Sequence, residues 1–266
     1  MAVKRDGIFK EICPKNDCNL LHGGFTITKT DLPWNQMKRK IGIVGGLSPE
    51  STVSYYLYIT RKYAEIYGNY DYPEIIIYSV NLENYHQWRS IDRWDLIIDD
   101  LVSCFEKLKN AGSDFGLIAT NTMHKVYEQV ADIVELPLIN IIDETALKAK
   151  ELRLNTLGLL GTKYTMSDGF YQERLSKFDI KALVPNSDQQ EVVHKIIVNE
   201  LVRGQFLERS KSRYIEIIQD LVSRGAKGVI LGCTEIPLLI KKEDVDIQLL
   251  DTAIIHSEAA LKAAVN

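Results

Sequence analysis

The stretch DDLVSCFEKLKNAGSDFGLIATNT at Asp99–Thr122 decides the fold, because a similar stretch, EIIQDLVSRGAKGVILGCTE, recurs at Glu216–Glu235. Each copy has the pattern of an amphipathic helix, a glycine, a short apolar strand and a polar triplet. The two copies share the tetrad Asp-Leu-Val-Ser and the glycine before the strand. Two such units predict two similar lobes, in which Thr120 and Cys233 follow equivalent strands.

Apolar runs such as Glu74–Val80 alternate with helical stretches such as Ser51–Tyr67 from Lys38 onward. This alternation predicts parallel sheets covered on both faces. We therefore expect an α/β fold of two pseudo-symmetric lobes, each with a small parallel sheet flanked by helices. The active site is expected in the cleft between the lobes, since ligands bind beyond the carboxyl ends of parallel strands. The polar, tryptophan-bearing stretch after Val80 is predicted to be a loop.

The predicted domains follow from the same pattern. Residues 1–37 have weak periodicity and are predicted to be an N-terminal extension. The first lobe is predicted to comprise residues 38–137 together with 250–266, and the second lobe residues 138–249.

The chain has 266 residues, of which 45% are hydrophobic and 26% charged, and a formal net charge of −4. These values are typical of a globular protein. The mild acidity indicates neither nucleic acid nor a membrane surface as a partner, and no apolar run approaches the roughly 18–20 residues that span a bilayer. Four cysteines in a chain this long do not form a disulfide framework, so we expect a cytoplasmic protein.

Two patterns suggest cofactor sites that we do not expect to exist. Cys13, Cys18 and His22 form a C-x4-C-x3-H cluster, but no second pair supplies a fourth metal ligand, so incidental residues are the preferred interpretation. Gly42-x-x-Gly45-Gly46 lacks the spacing of a dinucleotide-binding turn and is interpreted as a tight turn after a strand.

Cys233 is the candidate nucleophile or base. It follows the strand GVILG and precedes an apolar stretch with a proline, where backbone N–H groups and a helix start are expected. That environment lowers a thiol pKa from about 8.5 toward about 7. The alternative is a buried, chemically inert cysteine, which is the interpretation that suits Cys104 inside its helical stretch.

Four segments carry a resemblance to a known family. They are GIVGGLSPES (Gly42–Ser51), LIATNTMH (Leu117–His124), GLLGTKYTMSDGFYQERL (Gly158–Leu175) and GVILGCTEIP (Gly228–Pro237). Together they resemble the signatures of the aspartate/glutamate racemase superfamily, in its aspartate racemase branch. The resemblance implies two lobes, homodimers, and racemisation of aspartate or glutamate without pyridoxal phosphate, metal or nucleotide; we expect no cofactor.

The family places a cysteine in each of two signatures, one for each face of the substrate, whereas here the first position is Thr120 and the second is Cys233. Inverting an α-carbon requires a base on one face and an acid on the other, and a threonine hydroxyl is a far weaker acid than a thiol. A branch specific for one enantiomer carries threonine at this position. We therefore predict Cys233 and Thr120 as the catalytic residues of a slow enzyme that favours one enantiomer.

Other residues of the resembling segments are predicted to bind substrate through backbone and side-chain donors, which stabilise the α-carboxylate and the developing enolate. They are Gly46, Leu47, Ser48, Asn121, Thr122, Lys163, Thr165, Thr234 and Glu235.

Two roles stay open at this point. His124 is either a proton donor in a relay with Thr120 or a structural histidine. The side-chain carboxylate of the substrate is held by a lysine in some relatives, but this sequence has Glu173 at that position, so Lys163, Arg89 and Arg93 are the alternative cations.

Two other functions also stay open. Related single-thiol proteins include decarboxylases of disubstituted malonates and isomerases of maleate. A non-catalytic amino-acid-binding protein that has lost its first thiol is the third possibility.

Overall fold

The structure is a computed structural model that describes residues 20–22, 25–27 and 38–266. The chain divides into two compact units, Met1–Lys38 and Arg39–Asn266. In the first unit, strand β1 (Leu20–His22) pairs antiparallel with β2 (Phe25–Ile27). The side chains of the predicted cluster at 13, 18 and 22 lie outside the described residues.

Within residues 38–266, eight strands form two parallel sheets of four. The strands of the first sheet are β3 (Ile41–Gly45), β4 (Ile75–Ser79), β5 (Phe115–Ile118) and β6 (Leu138–Ile139). The strands of the second sheet are β7 (Thr156–Gly161), β8 (Lys181–Leu183), β9 (Gly228–Gly232) and β10 (Gln248–Asp251).

Helices connect these strands. In the described part of the second unit they are α1 (Pro49–Tyr67), α2 (Leu82–Ser90), α3 (Trp94–Asn110), α4 (Tyr127–Ile133), α5 (Ile141–Glu151), α6 (Lys163–Ser167), α7 (Phe170–Ser176), α8 (Ser187–Asn199), α9 (Glu208–Ser223), α10 (Ile236–Leu239) and α11 (Thr252–Val265). Short 3-10 helices cover Thr122–Val126, Leu201–Arg203 and Lys242–Asp244. No helix of residues 38–266 has the length and apolarity needed to cross a bilayer.

The two sheets have the same topology. Their strand orders are β4-β3-β5-β6 and β8-β7-β9-β10, so each sheet follows the order 2-1-3-4 when its own strands are numbered along the chain. All pairings within the sheets are parallel, as in Ile41 opposite Ile75 and Leu157 opposite Gly228. The predicted α/β fold with two small parallel sheets is confirmed, and the sequence repeat corresponds to α3–β5 and α9–β9.

Each sheet has an apolar cluster on both faces. The first sheet buries Val44 and Ile118 against α3, and Ile41 and Ile43 against α1 and α11. The second sheet is covered by two groups of helices: α8 and α9 contribute to one cluster, and α5 and α7 to the other. A fully buried leucine, isoleucine or phenylalanine contributes roughly 1.5–3 kcal/mol, so these faces hold the helices in place.

Two strands do not follow the predicted lobe boundaries at residues 137 and 249. β6 belongs to the first sheet although it begins after residue 137, and β10 belongs to the second sheet although it ends beyond residue 249. Helix α11 contributes Ala260 and Leu261 to a cluster of the first sheet, the sheet of the lobe to which residues 250–266 were assigned. The division into lobes stays a prediction.

The tryptophan-bearing stretch predicted to be a loop is a helix, α2. Its N-cap is Asn81, whose side chain accepts a hydrogen bond from the Glu83 amide at 3.0 Å. Tyr85 is buried and donates to Asp100 on α3 at 2.7 Å. Tyr85 is the one fully buried side chain of the helix, so the apolar periodicity that marks a longer amphipathic helix is absent.

Candidate active site

A cleft lies beyond the carboxyl ends of both sheets and holds about 700 Å³ of empty space, part of it open to solvent. The loops after the first and third strands of each sheet line it, at residues 47–48, 120–123, 162 with 164, and 232–235. In an order of 2-1-3-4 these two strands lie where the winding direction reverses, and this is the point where parallel sheets bind ligands. Helices α2 and α8 complete the walls.

Thr120 and Cys233 line this one cleft from different sheets. Thr120 lies two residues beyond β5, and Cys233 follows β9 directly. Among the described residues, the Thr120 hydroxyl has no hydrogen-bond partner, so it is available to a ligand. The repeat therefore brings together the two residues that the sequence selected for the two faces of a substrate.

The thiol of Cys233 donates to the carboxylate of Glu235, with Sγ 3.0 Å from Oε2. Burial, and then the charge and hydrogen bond of Glu235, raise the pKa of Cys233 well above its usual value. The backbone N–H groups of Glu235 and Thr234 act in the opposite direction without outweighing these effects. The predicted lowering of this pKa is thus wrong, because helix α10 begins three residues later and a carboxylate lies beside the sulfur.

Glu235 is buried and its two oxygens are used by different parts of the fold. Oε1 accepts from the hydroxyl of Ser48 at 2.5 Å, and Oε2 accepts from Thr234 at 3.0 Å as well as from the thiol. Ser48 is the N-cap of α1, beyond the first sheet, whereas Glu235 follows the second. The Ser48–Glu235 hydrogen bond therefore joins the two sides of the cleft.

His124 is buried behind the Thr120 loop and both of its ring nitrogens are occupied. Nδ1 donates to the Thr120 carbonyl oxygen at 2.8 Å, and Nε2 accepts from the Ile141 amide at 3.2 Å. Burial and the nearby His256 lower the pKa of His124 to about 3. The ring is therefore neutral and structural, which decides against the proton relay.

Hydroxyl and amide side chains make further links across the cleft. The hydroxyl of Thr122 lies 3.2 Å from that of Thr162, which in turn lies 3.2 Å from that of Thr165. The amide of Asn121 donates to the Thr252 hydroxyl at 2.9 Å, and its oxygen accepts from Tyr171 at 3.2 Å. Asn121 therefore lines the cleft with its amide group already engaged by the fold.

Of the residues predicted to bind substrate, Leu47, Ser48, Asn121, Thr122, Thr234 and Glu235 line the cleft. The other three do not. Gly46 forms the turn behind it, with a φ of 78°, and a Cβ there would lie 2.5 Å from the Val80 carbonyl oxygen. Thr165 is fully buried below Thr162, and the Lys163 side chain is exposed to solvent outside the cleft.

Three cations, Lys163, Arg89 and Arg93, were the alternatives for holding the side-chain carboxylate of the substrate. Arg89, on α2, is the one of these that lines the cleft. Its guanidinium stacks 4.7 Å above the Tyr164 ring and approaches His86 Nδ1 at 3.1 Å. Among the described residues it has no carboxylate partner. Arg93 is exposed and paired with Asp95 at 2.6 Å, and Glu173 lines a different pocket beside His124.

A comparison with protein-family models matches residues 44–260 to the Asp/Glu/hydantoin racemase family. The chain belongs to this family. It is therefore an amino-acid racemase, an isomerase, and the cleft with Thr120 and Cys233 is the candidate active site of that activity.

Individual relatives agree with this assignment. The chain is 26% identical over 227 residues to the broad specificity amino-acid racemase RacX of Bacillus subtilis (strain 168), covering 80% of this chain and 92% of that protein. An aspartate racemase homologue from Pyrococcus horikoshii OT3 has a TM-score of 0.76 at 36% identity, covering 86% of this chain and all of that one. A Yersinia pestis protein, provisionally assigned as an Asp/Glu racemase, has a TM-score of 0.81 at 37% identity with the same coverage.

Sequence reasoning missed several residues of this racemase cleft. His86, Tyr164 and His194 form its polar rim together with Arg89, and Ile197, Val198 and Val202 form an apolar wall. Tyr164 lies in a segment that resembles the family but was not singled out; the others lie outside all four segments, and α8 carried no motif that pointed to a site. Within the described residues, no group of three His, Cys, Asp or Glu side chains has a metal-binding arrangement.

Proposed function

We propose that this racemase interconverts the enantiomers of aspartate or glutamate with Cys233 on one face of the α-carbon and Thr120 on the other. The observation that carries the proposal is that both residues line one small cleft from loops of different sheets. A base and an acid on opposite faces are what inversion requires. The weak acidity of the Thr120 hydroxyl accounts for a strong bias toward one enantiomer.

The binding of the α-carboxylate and of the enolate is assigned to the loops that carry the two residues. The hydroxyl of Thr122 lines the cleft beside Thr120, and we assign to it a hydrogen bond to the negative charge that develops once the Cα proton has left. Fixed donors of this kind need no rearrangement during the reaction. They lower the free energy of the carbanionic state relative to that of the bound amino acid.

An acidic substrate is supported by Arg89. This guanidinium is partly buried in the cleft, lies over the Tyr164 ring, and has no carboxylate partner among the described residues. A guanidinium binds a carboxylate through two parallel hydrogen bonds. We assign the side-chain carboxylate of the substrate to Arg89, in place of Lys163 or Arg93.

The experiment is Cα-hydrogen exchange in heavy water, followed by NMR, with each enantiomer of aspartate and glutamate. We expect exchange with one enantiomer at a much higher rate than with the other. Cys233→Ala is expected to abolish exchange, whereas Cys104→Ala, a buried thiol remote from the cleft, is the matched control that retains it. Absence of exchange with all four substrates contradicts the proposal.

One observation favours a wider substrate range. Ile197, Val198 and Val202 line the cleft and offer an apolar surface that a dicarboxylate does not need. Leucine and methionine are the amino acids to test in the same exchange assay. Exchange of their α-hydrogens at rates comparable with those of aspartate supports the wider range, and its absence restricts the racemase to acidic substrates.

A further inference from the structure

The carboxylate of Glu235 has an unusual set of partners for a buried acid. It accepts hydrogen bonds from a thiol (Cys233), a hydroxyl across the cleft (Ser48) and a neighbouring hydroxyl (Thr234), at 3.0, 2.5 and 3.0 Å. Among the described residues, no lysine, arginine or histidine forms an ion pair with it. A buried charge without a cation is stabilised by its hydrogen bonds alone.

The thiol of Cys233 and the carboxylate of Glu235 therefore form a pair that holds one negative charge in total. With one proton between them the pair carries a single negative charge, whether the proton is on sulfur or on oxygen. Removing that proton would place two negative charges about 3 Å apart in a buried site, which is strongly disfavoured. Proton transfer from Sγ to Oε2 leaves the charge of the site unchanged.

Two features make the transferred state accessible. The backbone N–H groups of Thr234 and Glu235 are directed at the sulfur and favour its anionic form. The 3.0 Å separation of Sγ and Oε2 allows direct transfer without an intervening water. Such a transfer forms a thiolate without a base from bulk solvent.

We propose that Cys233 and Glu235 share one proton, and that Ser48, reaching from the first sheet, controls which of the two holds it. The Ser48 hydroxyl donates to Oε1 and stabilises the ionised carboxylate, so it keeps the proton on sulfur. When this hydrogen bond is lost, the carboxylate becomes more basic and the thiolate more populated. Ser48 is a positioning residue that acts through Glu235.

The catalytic consequence rests on the proposed function. The S–H bond of Cys233 breaks as an O–H bond forms on Glu235; the thiolate then takes the Cα proton, so that S–H forms again as Cα–H breaks. A proton from the Thr120 side, replaced from solvent, completes the inverted product. Glu235 then returns its proton to solvent, and the resting state is restored with all protons accounted for.

Other titratable groups near the pair are few among the described residues. Tyr214 on α9 has its pKa raised well above its usual value by burial and then by the charges of Cys233, Glu200 and Glu235, so its phenol stays neutral. His86 and Arg89 on α2 and His194 on α8 line the same cleft. The pKa values of both histidines are lowered, with burial as the largest cause.

The test is the pH dependence of Cys233 alkylation by iodoacetamide, read by mass spectrometry of the peptide that contains Cys233. A shared proton predicts a rate that is nearly constant between pH 6 and pH 8 in the unmodified protein, because the thiolate fraction is set within the pair. In Glu235→Gln the thiol titrates alone, so the rate should rise about tenfold per pH unit. Glu243→Gln, at an exposed glutamate, should match the unmodified protein.

Ser48 supplies the second arm of the test. Ser48→Ala should raise the constant rate several-fold, and Ser48→Thr, which keeps the hydroxyl, should leave it near its original value. If the unmodified protein shows the tenfold rise per pH unit, or if Ser48→Ala leaves the rate unchanged, the proposal is overturned. Thermal unfolding of each variant establishes that it is folded, and Glu235→Asp, which keeps a carboxylate, provides a second variant if Glu235→Gln does not fold.

Racemisation gives an independent readout. Glu235→Gln should lower kcat for Cα exchange by roughly 10²- to 10⁴-fold, the usual contribution of a positioned proton acceptor, with KM changed by less than about threefold. An exchange rate equal to that of the unmodified protein contradicts the proposal. If the unmodified protein exchanges no amino acid, the proposed function fails, whereas the alkylation profiles still decide whether Cys233 and Glu235 share a proton.

Discussion

Nδ1 of His124 lies 2.8 Å from the carbonyl oxygen of Thr120, so a buried imidazole holds the backbone of a residue that lines the candidate active site. Because its pKa is lowered to about 3, this ring is neutral near pH 7, and its single N–H is held by the Thr120 carbonyl oxygen. His124→Asn should lower the rate of Cα exchange by roughly tenfold, equal to about 1.4 kcal/mol of barrier, through a displaced Thr120. The shape of the pH–rate profile should stay the same, and loss of an acidic limb would restore the relay interpretation.

The buried histidines also make stability depend on pH. Burial lowers the pKa of His256 to about 4, and the ring lies between the Tyr55 hydroxyl and the Ile139 carbonyl oxygen. The unfolded chain takes up protons near pH 6.5, before the folded one does, so the free energy of unfolding falls as pH decreases from about 6.5 toward about 4. Each such histidine contributes a slope of about 1.4 kcal/mol per pH unit. Urea unfolding at pH 7, 6 and 5 measures it, and His256→Gln should show a shallower dependence.

Thr120→Cys places a thiol at the position that lacks one. Since a thiol is a far stronger acid than a threonine hydroxyl, exchange of the disfavoured enantiomer should increase by at least tenfold while that of the favoured enantiomer is retained. Circular dichroism of the reaction mixture follows both directions. Thr120→Ser, which keeps the hydroxyl, is the matched control, and an unchanged ratio of the two rates in Thr120→Cys would exclude position 120 from proton transfer.

Arg89→Met separates substrate binding from chemistry. Loss of hydrogen bonds to a charged group costs about 1.5–3 kcal/mol, so KM for an acidic amino acid should rise roughly 10- to 100-fold with a smaller change in kcat. Arg93→Met removes an exposed arginine that is paired with Asp95 and should leave both constants unchanged. Equal effects of the two substitutions would remove Arg89 as the anchor.

The sequence predicted the features that depend on local pattern. The α/β class and the paired repeat followed from periodicity and from two similar segments, and the two sheets of equal topology confirm them. Thr120 and Cys233 line one cleft, and their joint role in catalysis stays a prediction. The homodimer and the cytoplasmic location stay predictions.

What failed depends on contacts between distant residues. The pKa of Cys233 was predicted to be lowered because the sequence shows a loop after a strand but not that the carboxylate two residues on turns back to the sulfur. Asn121 lines the cleft as expected, but the sequence did not show that its amide donates to Thr252, 131 residues away, and its contact with substrate stays a prediction. Arg89, Lys163 and Arg93 are equivalent cations in sequence, and only the fold of α2 distinguishes them.

Helix α11 has a consequence for how the chain is made. Ala260 and Leu261 complete an apolar cluster of the first sheet that also contains Ile41 and Ile59, about 200 positions earlier, and Ile255 contacts a cluster of the second sheet. During synthesis the ribosome delivers this helix after every other described element. The nascent first sheet therefore has one apolar face covered by α1 alone until translation reaches residues 252–265, and the apolar surface left open is one that a chaperone can bind in the meantime.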